Sequence, residues 1–191
     1  IEGLVEALLS KARFTQDLAT SNALFAEAGS LCAAELDQPE RAIEVFETLE
    51  RRDQESEVAL DALEGLYERV ASWERLVEVY RKKIERQDEV ELRKAIAGQM
   101  AAIQGEHLEA NDDAIATWRM VLSWDASDAH AMREIDTLML ANEDWYGLRD
   151  NLVQLQAHVD DDEWSETQYR LAKLHESCLL YTSDAADDIP R

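Results

Sequence analysis

ALDALEGLYERVASWERLVEVY, residues Ala59 to Tyr80, carries two helical stripes separated by almost nothing. Ala59, Leu63, Leu66, Tyr67 and Val70 share one face of a helix. Trp73, Leu76, Val77, Tyr80 and, beyond the quoted stretch, Ile84 share one face of the next, at the spacing of an amphipathic helix. Between the stripes lies only ASW, Ala71 to Trp73. So short a break forces the two helices to lie side by side and antiparallel.

The same hairpin recurs along the chain. RAIEVF (Arg41 to Phe46) is matched by RLVEVY (Arg75 to Tyr80) 34 residues on, and by DAIATW (Asp113 to Trp118) another 38 residues on. A shift of 72 residues superposes the sequence on itself without a gap: Phe46 on Trp118, Asp53 on Asp125, Leu60 on Met132, Leu63 on Ile135, Trp73 on Trp145 and Leu76 on Leu148. Leu4 and Leu8 begin a further copy, opposite Leu76 and Tyr80. A unit of about 36 residues holds two helices of about 14 residues and two short turns. The spacing predicts ten helices, near 2–12, 20–36, 39–51, 56–71, 73–86, 90–109, 111–123, 128–142, 144–158 and 162–177. Ser56, Asn111 and Asp128 stand where N-caps are wanted, and Pro39 where a first helical turn tolerates its missing N–H. One such hairpin cannot bury its apolar face, whereas a stack of them can. The expected class is therefore all-α: a right-handed α-solenoid of antiparallel helix pairs, built on 34- and 38-residue units within a 72-residue double repeat.

Composition agrees. Among 191 residues there are 6 Gly and 2 Pro, too few breakers for anything but a helical chain. The formal charge is −23, from 42 acidic and 19 basic residues, a field that repels phosphate backbones and anionic membrane surfaces. Nucleic acid is therefore not an expected partner, and no apolar run reaches the length of a membrane span. Cys32 and Cys178 form neither a metal spacing nor a disulfide framework. The chain opens at Ile1 in mid-pattern, so the true N-terminus is expected to lie upstream. The compartment stays open, with the cytoplasm slightly favoured.

At these residues the chain resembles the tetratricopeptide repeat family. Leu60, Leu63 and Tyr67 fall on the large–Leu–Gly–Tyr pattern of the family's first helix, as do Met132, Ile135 and Met139; Glu64 and Asp136 take the place of its Gly. Ala42 with Phe46, and Ala114 with Trp118, match the small–aromatic pair of its second helix. LFAEAGSLCAAEL and IAGQMAAIQGEHL put Ala, Gly and Ser at the large positions, which suits close helix approach. A related helical-hairpin repeat class is the structural alternative. The resemblance spans Leu4 to about Ser177 and implies a fragment of a long bacterial repeat protein.

It also implies a binding scaffold: a protein or peptide partner would lie on the concave face, which the first helix of each pair lines. The residues so placed are Arg69, Gln99, Ile103, His107, His130, Arg133 and Thr137, with Arg69 or Arg133 suited to hold a carboxylate. The alternative function is a passive spacer in a larger protein whose activity lies elsewhere. An enzyme is not expected, nor any cofactor or metal, because the chemistry-bearing patterns are missing. His107, His130, His158 and His175 form no HExxH or other ligand spacing, and there is no phosphate-binding or nucleophile-elbow glycine motif. The acidic run VDDDEW, Val159 to Trp164, lacks the glycine turn and distal Glu of a calcium loop and reads as a turn feeding a helix N-terminus. RKK, Arg81 to Lys83, suits a helix C-terminus. Trp73, Trp118 and Trp145 recur at repeat positions and read as packing, whereas Trp124 and Trp164 do not fit that logic and are candidate partner anchors.

The repeat pattern stops near Ser177. CLLYTSDAADD, Cys178 to Asp188, resembles the translation of a transposon-end sequencing adapter over eleven residues. The expected organisation is an array over 1–177 and a non-native tail over 178–191. The last helix, with Tyr169 and Ala172 lacking a partner surface, is expected to fray.

Overall fold

A computed structural model describes residues 1–176; the proposed tail and its boundary at Ser177 lie outside them. All ten helices are present, and no strand occurs among the described residues. They fall into two compact units, the first Ile1–Gln87 and the second from Asp88 onward. The first holds α1 (Glu2–Phe14), α2 (Leu18–Ala34), α3 (Pro39–Arg52), α4 (Glu57–Arg69) and α5 (Trp73–Arg86). The second holds α6 (Val90–Glu106), α7 (Asn111–Trp124), α8 (Ala129–Ala141), α9 (Trp145–Leu155) and α10 (Asp161–Leu174). Within each unit every helix packs on its neighbours in the chain, and α2 also touches α4.

The ends of these helices follow from local chemistry. Ser56 and Asp128 are N-caps, accepting from the backbone N–H of Ala59 at 3.3 Å and of Ala131 at 2.9 Å. Pro39 is the first residue of α3. Asn111 departs from expectation. It is the first residue of α7, Ala110 holds the cap position without a side-chain bond, and the Asn111 amide donates instead to Asn142 Oδ1 at 2.8 Å. Each hairpin turn is closed by one non-glycine residue in the left-handed region: Asp37, Ala71, Glu109 and Glu143, with φ of 53°, 53°, 52° and 56°. There the chain doubles back, and the following N–H reaches into the finished helix: Ser72 to Tyr67 O at 2.8 Å, Asp144 to Met139 O at 2.9 Å. These turns explain why α4 and α6 end at Arg69 and Glu106, short of the sequence limits of 71 and 109.

The cores repeat as the 72-residue register requires. Ala42 and Ala114 are fully buried, Phe46 is 2% exposed and Trp118 7%. Phe46 is seated on Gly29, where an added Cβ would stand 2.6 Å from the ring. The larger Trp118 reaches Gly98, one helical turn earlier in its own copy. Small residues in α2 and α6 are thus the seats of the aromatic rings of α3 and α7.

Candidate functional site: the solvent face of the first helices

On α8 the buried side chains Met132, Ile135, Asp136 and Met139 occupy one face. His130, Arg133, Thr137 and Leu140, spaced three and four apart, form an exposed row on the other, flanked by half-buried Glu134. The row contains three of the residues that the sequence nominated. It also contains Glu134 and Leu140, which the sequence reading passed over although their spacing from His130 and Arg133 was available. Leu140 is 52% exposed. On α6, Gln99 is exposed, Ile103 half-buried and His107 the exposed C-cap. Arg69, in the other unit, is the last residue of α4.

Both nominated arginines are already engaged. Arg133 grips Glu163 of α10 with two parallel bonds, Nε to Oε1 at 2.5 Å and Nη2 to Oε2 at 3.0 Å, and this holds the Glu163 carboxyl below the usual range. Arg69 pairs with Asp37 and donates to Ala33 O at 3.2 Å. Thr137 donates to its own helix, to Arg133 O at 3.1 Å. The His130 ring meets Trp118 edge-on at 5.3 Å, and its Nδ1 lies 3.8 Å from Glu134, beyond hydrogen-bond reach.

The acids that stand in place of the family's glycine are paired. Glu64 receives Lys83 and, at 3.3 Å, the Tyr80 hydroxyl; burial and then this carboxylate push Tyr80 up to about 12. Asp136 is almost wholly buried, at 1% exposure. Its Oδ1 accepts from Asn151 Nδ2 at 2.7 Å, and its Oδ2 faces Arg170 Nη2 at 3.4 Å. Burial dominates and raises its carboxyl above the ordinary value.

Elsewhere in the second unit, a cleft of about 830 Å³ lies among Glu109, Asp112, Asp113, Arg119 and Asp144; none of the nominated residues lines it. Half-buried Trp124 lies 5.2 Å beneath the Arg93 guanidinium, and Trp164 is 46% exposed on α10. No group of three metal-ligating side chains occurs among the described residues. No described helix is long and apolar enough to cross a membrane.

No protein-family model matches the sequence, and no curated protein matches it either. Solved structures do. A putative kinesin light chain from Podosopora anserina, with nearly identical TPR-like repeats, aligns over 82% of this chain and 84% of its own at 16% identity and a TM-score of 0.51. The fold is tetratricopeptide-like. The TPR protein YrrB, whose structure is described as having an unusual peptide-binding site, covers 90% of this chain and 84% of its own at 10% identity and a TM-score of 0.48. MamA from Desulfovibrio magneticus RS-1 covers 86% and 89% at 14% and 0.47. In tetratricopeptide-like terms α2, α4, α6 and α8 are first helices, each paired with the helix that follows it.

Proposed function

We propose that the array is a non-enzymatic protein-binding scaffold that captures a partner peptide or domain on the solvent face of its first helices. Arg69, Gln99, Ile103, His107, His130, Arg133 and Thr137 are the contact residues. The observation that carries this reading is the exposed row on α8, which sets an imidazole, a guanidinium, a hydroxyl and Leu140 in line, opposite a packed face. A row of mixed donors with one exposed apolar side chain suits an extended peptide, whose backbone needs hydrogen bonds and whose side chains need a seat. The net charge of −23 disfavours nucleic acid in the same place.

The test is charge reversal at Arg133. Arg133→Glu is expected to lower recovery of co-purifying proteins severalfold in a pull-down, with the helical circular dichroism signal unchanged. Equal recovery of the same proteins by both forms would remove Arg133 from the contact surface. The second reading, a passive spacer, draws on the internal pairing of Arg69 and Arg133, which a purely architectural helix stack would also show. A spacer predicts that no substitution along the row changes recovery.

A further inference from the structure

We infer that α10 is a strap held to α8 and α9 mainly by charge, able to leave while the rest of its unit stays folded. Its apolar anchorage is slight. Of its described side chains only Thr167, at 1%, and Leu174, at 7%, are buried, whereas Trp164 and Tyr169 are 46% and 59% exposed. By contrast α6 buries Ala97, Met100, Ala101 and Gln104, and α8 buries five side chains.

Two ion pairs supply the rest of the attachment. Glu163 lies on Arg133 of α8, with both side chains open to solvent, at 33% and 46% exposure. Arg170 lies over Asp136, a carboxylate kept in the interior by Asn151, whose amide also donates to Met132 O at 2.7 Å. This second pair is incomplete: at 3.4 Å Asp136 Oδ2 receives no hydrogen bond, although it is buried. An exposed pair and an unsatisfied one resist opening weakly. Release of α10 would free the Arg133 guanidinium and bare the Asp136 carboxylate. Whether that opens a binding site rests on the reading of Arg133 given above; the strap itself does not.

Hydrogen exchange of the whole chain tests it without any partner. Between about 0.1 M and 1 M NaCl the screening length falls from about 10 Å to about 3 Å. Amide protection in α10 is expected to drop about tenfold, with α8 and α9 unchanged. The double variant Glu163→Gln, Arg170→Gln should show the low protection at 0.1 M and no further response to salt. Salt-independent protection of α10 in the native chain would overturn the inference. So would loss of protection in α10 only together with α8 and α9, or a double variant that still responds to salt as the native chain does.

Discussion

Lys94 and Asn22 stand one 72-residue period apart and perform the same task with different chemistry. Asn22 donates to Asp53 Oδ2 at 2.7 Å, and Lys94 to Asp125 Oδ2 at 2.8 Å. Each aspartate also accepts the backbone N–H two residues on, from Glu55 at 3.2 Å and from Ser127 at 3.1 Å, which shapes the turn into the next helix. The ammonium makes the second site pH-dependent. Lys94 first, then Ser127, pulls the Asp125 carboxyl from its ordinary 3.8 down to about 2. A depressed carboxylate contributes stability above its unfolded pKa and loses it as pH falls through the folded one, here between about 4 and about 2. Carbon-detected NMR titration should therefore find Asp125 near 2 in the native chain and higher in Lys94→Gln, with Asp53 unaffected. An Asp125 titration that ignores the substitution would refute the pairing.

Among the elements, the hairpins were readable because their apolar stripes repeat, and all ten helices fall where those stripes place them. What the stripes did not reveal is how each hairpin turns. Asp37, Ala71, Glu109 and Glu143 take left-handed backbone that sequence reasoning assigns to glycine, at a cost of about 1 kcal/mol or more each. The bond from the following residue into the helix end fixes them there, and no residue type announces it. The glycines that do occur serve packing instead. Gly29→Ala should destabilise the chain by about 1–3 kcal/mol, because the new methyl meets the Phe46 ring. Gly65→Ala, with nothing within 4 Å of the added atom, should stabilise it by about 0.5–1 kcal/mol through helix propensity alone. Urea denaturation of the two variants separates the effects by sign; equal shifts would show that α2 and α3 are not in close contact at that point.

Across the whole molecule the 72-residue period carries the fold but loses its phase at α10. Tyr169 occupies the register of Ala97 and Phe25, which are 0% and 2% exposed, yet it is 59% exposed itself, and the inner face of α10 falls on Thr167 and Leu174. Helix α9 has 11 residues where α5 has 14, so α10 enters out of step. The candidate site was legible to a similar depth. Helical spacing placed His130, Arg133 and Thr137 on one exposed row, but Glu163, 30 residues on, engages Arg133 across a turn whose geometry no local pattern encodes. The central claim, that partners meet the first-helix face, is tested most directly by a photo-crosslinking amino acid placed at Thr137 and, as the control, at exposed Ala116 on the second helix α7. In cells, crosslinked partner bands are expected from position 137 and not from 116. Equal labelling from both positions, or labelling from 116 alone, would contradict it.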